Sequence, residues 1–188
     1  MRKVVLFLHL SLDGFSATKD GGLEWIPYNP ALEKYAEKIV ESVGSAMYGR
    51  NTFELMKYFR TVPNNPSSSA HEIEHAKWIE NIEKIVFSTT LTTEDWNNTK
   101  IISGNVLEEV TKLKEEKGKD IVIFGSPTLA TSLMELDLID EFQFTISPVV
   151  LGEGKTFLRN ITKKVTLELV SSESIEGGVI AVHYRLLK

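Results

Sequence analysis

Apolar and β-branched runs recur along the chain at 3–10, 45–48, 84–88, 99–102, 120–124 and 141–149, and helical patterns separate most of them. Alternation of this kind predicts an α/β sheet with parallel central strands. Helices are expected at Pro30–Val43, where Leu32, Tyr35, Ala36, Ile39, Val40 and Val43 share one stripe, and at Thr52–Met56, Ala70–Asn81, Asn105–Glu116 and Ser126–Glu135. Asn105 with Glu108 has the spacing of a capping box. The last stretch changes period: 165–172 and 179–187 alternate apolar and polar residues around Glu176-Gly177-Gly178. That pattern predicts an antiparallel hairpin at one edge of the sheet.

Two strand-to-helix junctions stand out. In IVIFGSPTL, residues 121–129, a β-branched run stops at Gly125 and restarts as a helix, with Ser126 placed to cap it and Pro127 at the first helical position. The free N–H groups and dipole of a helix start suit an anion, although the same residues also make a plain connection with no ligand. In SAMYGRNTFE, residues 45–54, the geometry repeats: the run ends at Gly49, Asn51 is placed to cap, and Glu54 stands three residues later. Arg50 and Thr52 add a cation and a hydroxyl. A pair of phosphate-compatible turns in one small chain points to a long ligand with several phosphates, such as a dinucleotide.

The chain has 188 residues, enough for one domain with a continuous core. It contains no cysteine, which excludes thiol catalysis, Cys-ligated zinc and iron–sulfur clusters, and agrees with a reducing compartment. The net charge of −5 and the lack of a long Lys/Arg block argue against a nucleic-acid partner. No run approaches the ~20 apolar residues of a membrane span, and the apolar start lacks a signal-peptide cleavage site, so the cytoplasm is the expected setting. Sequons at Asn97 and Asn160 then carry no meaning. The loop TVPNNPSSSA, residues 61–70, reads as a connector or a lid.

His71-Glu72-Ile73-Glu74-His75 matches the H-E-x-x-H helix of zinc hydrolases. Its flanks carry Glu72, Glu74, Lys77 and Glu80 rather than an apolar wall, and no third ligand follows at a recognisable spacing, so a solvated helix without metal is the expectation. A serine hydrolase lacks its G-x-S-x-G elbow, and His9 and His183 lie within strand patterns. The G-x-G-x-x-G fingerprint of ordinary dinucleotide folds is absent too. Further candidates for a site are Asp13 and Phe15 in SLDGFSA, Trp25 in GLEWIPYNP as an aromatic wall or a core lid, and Glu153 between the glycines of LGEGKTF.

Taken in order, SLDGFSA, Trp25, YGRNTFE, FSTT, IVIFGSPTL and LIDEFQFTISPVVLGEGKTF resemble the dihydrofolate reductase-like superfamily, most closely the reductase domain of the bifunctional riboflavin-biosynthesis deaminase-reductase and its stand-alone relatives. The resemblance covers nearly the whole chain, 1–188. It implies a mixed, mostly parallel sheet with flanking helices, NADPH as cofactor, hydride transfer to a pyrimidine- or pterin-like ring, and a homodimer. Carried over by position, Arg50 would face the 2′-phosphate, Thr52 a phosphate at its helix start, and Ser88 and Thr89 the adenosine ribose phosphate. Gly125, Ser126, Thr128 and Leu129 would form the pyrophosphate turn. Asp13 is the candidate for proton handling, with Trp25 and Glu153 behind it.

Departures from the family bear on the substrate. Gly-Gly is common where this chain has Gly125-Ser126. The acid that serves the pterin in dihydrofolate reductases falls on Leu32 here, and Glu33 is turned away by about 100°. The proline- and arginine-bearing segment of the riboflavin-type domains is represented by Arg60 as a possible ribose-phosphate contact. The resemblance therefore implies a reductase like that of 5-amino-6-(5-phosphoribosylamino)uracil. The alternatives are a dihydrofolate or pterin reductase, an NADPH-binding protein without reductase activity and, further off, the zinc hydrolase.

Overall fold

The computed structural model describes residues 1–157 and 161–187, so Asn160 of the second sequon lies outside the described residues. Its strands are β1 (Val4–Ser11), β2 (Phe15–Ala17), β3 (Val43–Gly49), β4 (Glu83–Phe87), β5 (Thr99–Ile102), β6 (Asp120–Phe124), β7 (Glu141–Ser147), β8 (Lys155–Thr156), β9 (Leu167–Ile175) and β10 (Val179–Leu186). The helices are α1 (Pro30–Ser42), α2 (Arg50–Met56), α3 (Ala70–Asn81), α4 (Val106–Glu115) and α5 (Pro127–Glu135), with 3-10 turns at Lys57–Arg60 and Val62–Asn64.

Eight strands form one sheet in the order β5-β4-β3-β6-β1-β7-β10-β9. Neighbours from β5 to β7 pair in parallel, and β10 runs antiparallel to both β7 and β9. The expected mixed, mostly parallel sheet with a C-terminal hairpin is what forms. Alternate residues of the central strands feed cores on opposite faces. Val4, Leu6, Leu8, Met47, Ile121 and Ile123 pack with α4 and α5 residues such as Val110, Leu113, Ala130 and Leu133. Phe7, Ala46, Tyr48 and Val122 pack with Ile39 of α1, Phe53 of α2 and Ile79 of α3. Burial on both faces explains why these strands read as continuous apolar runs.

Several local expectations need correction. Asn51 does not cap α2. Pairing of Gly49 with Phe87 extends β3 to the residue before Arg50, so the helix opens at once, Gly49 is its N-cap with no side-chain bond, and Asn51 falls inside it. Asn105 does cap α4 through the Leu107 N–H, but Glu108 reaches forward to Lys112 at 2.7 Å instead of closing the box. The capping box that does form is Ser69 with Glu72 at the start of α3. Nor is α3 wholly solvated, because Ala76 and Ile79 are buried on the sheet. The 61–70 loop is tied down as a connector by the fully buried Val62, whose carbonyl accepts from Ser68 Oγ.

The short β2–β8 pair escaped the sequence pattern. It explains a glycine of the 151–157 loop: a Cβ on Gly154 would lie 2.5 Å from the Ala17 carbonyl oxygen and 3.1 Å from Phe15 Cβ. The close approach that Gly154 permits is to the chain's own backbone.

Candidate cofactor site

The parallel strands β4, β3 and β6 lie side by side and end at one edge of the sheet, so their C-terminal junctions are neighbours. In open α/β sheets that edge is where ligands bind. Gly125 and Ser126 there adopt successive left-handed conformations, φ +56° and φ +51°. Such a backbone suits Gly125 but costs a serine about 1–2 kcal/mol, so other bonds must hold Ser126 in place. Its N–H donates to Thr52 Oγ1 at 3.2 Å, and its Oγ accepts from the Gly49 N–H at 3.0 Å and donates to the Phe124 carbonyl at 3.3 Å. The buried Ser126 thus fastens the junction after β6 to the junction after β3.

This arrangement corrects the expectation that the Ser126 side chain caps α5. Ser126 is the N-cap by position, yet its hydroxyl is turned to Gly49 and no side chain caps the helix. The first N–H groups of a helix have no intrahelical partner, and Pro127 has none to offer. Thr128 and Leu129 therefore supply the leading backbone donors. Leu129 is 7% exposed, packed in the core, so its contribution at the junction is its backbone rather than its side chain.

Beside these turns lies a cavity of about 310 Å³ lined by Arg50, Phe87, Ser88, Thr89, Thr90, Ile102, Ser103, Gly104 and Val106. Arg50 donates to Thr90 Oγ1 across it. Ser88 Oγ accepts from the Leu91 N–H at 2.9 Å and the Thr90 N–H at 3.2 Å, which shapes the loop after β4. Arg50, Thr52, Ser88, Thr89, Gly125 and Ser126, far apart in sequence, are thus brought to one edge. Sequence reasoning missed Thr90 and the 102–106 wall, which carry no recognisable motif.

The other candidates are placed differently. Asp13 is exposed, and its carboxylate accepts from Ser11 Oγ at 2.7 Å, the Leu151 N–H at 3.1 Å and the Gly152 N–H at 2.8 Å. Those bonds, that of Ser11 foremost, lower its pKa, so it stays ionised. It ties the turn after β1 to the 151–152 loop. Glu153 is exposed and pairs with Lys19 at 3.2 Å. Trp25 donates from Nε1 to the Gly22 carbonyl and packs half-buried on Ile26, Leu32, Ile175, Val179 and Ala181, the lid position of the alternatives open to it. Leu32 is buried in that cluster and offers no acid to a ligand. Arg60 is held by Asp95 at 2.9 Å and Glu94 at 4.0 Å.

A feature the sequence did not disclose is a band of aromatic rings on the α1/α3 side of the sheet. Ring contacts run from Tyr28 to His9 (5.7 Å between centroids), Phe7 (5.0 Å), Phe124 (5.8 Å), Trp78 (5.6 Å), His75 (5.4 Å) and Phe59 (4.8 Å). His9 Nδ1 is bonded to Thr145 Oγ1, and burial lowers the pKa of His9 to about 4. Burial, aided by the charge on His71, likewise lowers His75 to about 4. Both imidazoles are neutral at pH 7. His71 pairs with Glu37 at 3.3 Å, so the H-E-x-x-H histidines serve an inter-helix contact and an aromatic stack. Among the described residues no group of three or more His, Cys, Asp or Glu side chains is placed to hold a metal ion.

Residues 2–181 match the model of the RibD C-terminal domain. The chain belongs to that family. Among curated proteins, the uncharacterized protein YyaP of Bacillus subtilis (strain 168) is 34% identical over 183 residues, 97% of this chain and 94% of that one. Among solved structures, a putative riboflavin biosynthesis protein from Shewanella sp. PV-4 superposes with a TM-score of 0.79 at 20% identity, covering 99% of each chain. A deaminase/5-amino-6-(5-phosphoribosylamino)uracil reductase from Thermotoga maritima gives 0.69 at 16% identity, with 99% of this chain matched to 57% of that one. Dihydrofolate reductase from Enterococcus faecalis, complexed with NADP(H), gives 0.64 at 18% identity over 99% and 97% of the chains. The fold of this RibD C-terminal domain is thus dihydrofolate reductase-like. No helix among the described residues is long and apolar enough to cross a membrane.

Proposed function

We propose that this chain is an NADPH-dependent reductase of a planar, pyrimidine- or pterin-like ring. The observation that carries the reading is the fastening of the Gly49 and Gly125 junctions through Ser126 and Thr52, beside a cavity that holds Arg50. Rigid backbone donors at neighbouring strand ends suit linked phosphates, and a guanidinium at the far side suits the 2′-phosphate that distinguishes NADPH from NADH.

In this reading Thr128 and Leu129 present N–H groups to the pyrophosphate and Gly125 lets it approach the backbone. Thr52 orients the Ser126 N–H, while Arg50, Ser88 and Thr89 receive the adenosine ribose phosphate. Bound NADPH supplies the hydride. Asp13 holds the 151–152 loop in register with β1, and Trp25 and Glu153 stand behind it as candidates on the substrate side. The family and the structural relatives named for riboflavin biosynthesis support the reductase class, and the substrate they suggest is 5-amino-6-(5-phosphoribosylamino)uracil. A homodimer and a cytoplasmic setting belong to the same proposal, as does the extent of a single domain over 1–188.

A second reading, a nucleotide-binding protein without reduction, draws on Asp13: a carboxylate held ionised by its neighbours offers no proton to a reduced ring. Steady-state oxidation of NADPH in the presence of pyrimidine and pterin substrates separates the readings. Turnover with any of them supports the reductase, and saturable NADPH binding with no turnover supports the second.

A further inference from the structure

The reductase reading leaves the substrate open, and the inference that follows rests on that reading. The aromatic band passes through Phe124, the residue before the Gly125 junction, so a ring held on the band at Phe124 lies next to the proposed cofactor. Phe124 ends a central strand, a position usually covered, yet it is only partly buried, as are Trp78 and Tyr35. Tyr35 comes from α1 to Phe7, and Trp78 from α3 to Phe124. Rings in mutual contact that are not fully covered suit a flat conjugated guest.

The cations of the 57–60 turn are turned away from this band. A 3-10 turn has three residues per revolution, so Lys57 and Arg60 share one flank of the Lys57–Arg60 turn while Phe59 leaves from another, against His75. Lys57 is spent on Glu94 at 2.8 Å and Glu54 at 3.0 Å, and Arg60 on Asp95 and Glu94. His71, on the facing turn of α3, is paired with Glu37. Among the polar atoms that the band offers is His9 Nε2, since Thr145 Oγ1 occupies Nδ1.

We propose that the substrate is a flat conjugated ring carrying no phosphate, seated against the band beside Phe124 and Trp78 with His9 as its polar contact. A phosphoribosylated pyrimidine would find the cations of the 57–60 turn already spent on Glu54, Glu94 and Asp95.

Calorimetric titration of the full chain tests this with 6-methylpterin as the flat probe, 5-amino-6-(5-phosphoribosylamino)uracil as the phosphorylated one and ribose 5-phosphate as the tail alone. Each is run with and without saturating NADP+. The expected result is binding of 6-methylpterin at least tenfold tighter than the phosphorylated ring. Trp78→Leu and His9→Gln should each weaken it by roughly tenfold, in the range of single stacking contacts. Thermal stabilisation by NADPH should be unchanged in both variants, which also certifies that they fold. Tighter binding of the phosphorylated ring, lost in Arg60→Ala, would overturn the proposal, as would no binding of either ring. Failure of NADPH to stabilise the protein would refute the reductase reading instead, and the cofactor-free titration still decides the ring class.

Discussion

Replacing Thr52 by Val tests the fastening of the two junctions with almost no change of shape. The hydroxyl is lost, and with it the acceptor for the Ser126 N–H at 3.2 Å. Ser126 is 4% exposed, so water has little access to replace that acceptor. An unsatisfied buried donor costs about 1–3 kcal/mol, and part of it is recovered as the left-handed Ser126 relaxes toward an unstrained backbone. A net loss of about 1–2 kcal/mol follows, which for a chain of this size lowers Tm by about 2–8 °C. Relaxation tilts the donors at the start of α5 away from where the phosphates are to sit. A further ~1.4 kcal/mol lost from NADPH binding is a tenfold rise in Kd. Thermal melts with and without NADPH, together with a direct binding titration, read both quantities. A variant with wild-type Tm and wild-type affinity would refute the fastening, and one that is destabilised but binds normally would confine it to folding.

Arg50→Ala should weaken NADPH about 10- to 100-fold, the loss of a charge-assisted contact, and leave NADH within about twofold; equal losses for both cofactors would detach Arg50 from the 2′-phosphate. Gly154→Ala forces a Cβ against the Ala17 carbonyl, so a loss of about 1–3 kcal/mol in urea unfolding is expected, against a small change for Gly104→Ala, whose Cβ meets nothing closer than Glu109 Cγ at 3.7 Å. Acid should destabilise the fold before its carboxylates titrate. His9 and His75 are held near pKa 4 when folded, below the unfolded value near 6.5, so the unfolded state takes up protons first and stability falls as pH drops from 6.5 toward 4. Each contributes about 1–2 kcal/mol of that loss at pH 5. His75→Phe should flatten the slope by about half, and an unchanged slope would show that His75 is not held neutral.

Much of the sheet was legible because its central strands are covered on both faces and so read as apolar runs; the expected bounds of β5 and β6 match the structure. Caps were read less well. A sequence shows which residue can accept a bond at Ser126 or Asn51, but pairing of Gly49 with Phe87 and the pull of the Gly49 N–H on Ser126 decide where those side chains go. Lys84 is the sharpest case. It reads as a polar strand end, yet it is fully buried, donating from Nζ to the Ile79 and Ile82 carbonyls at the end of α3, 4.9 Å from the Trp96 ring. Burial lowers its pKa to about 8. The junction half of the candidate site was visible because a glycine and a hydroxyl sit within a few residues of the ends of β3 and β6, with Arg50 after the first. The aromatic band was not, since its rings come from β1, α3, β6 and the 57–60 turn, and only folding brings them into contact.

The central claim is that the edge formed by β4, β3 and β6 is an NADPH site, and thermal stabilisation by NADPH against NADH tests it most directly. At 100 times its dissociation constant NADPH should add about 2.7 kcal/mol, a rise of about 5–11 °C, with a clearly smaller rise for NADH at the same concentration. No shift with either cofactor would contradict the account.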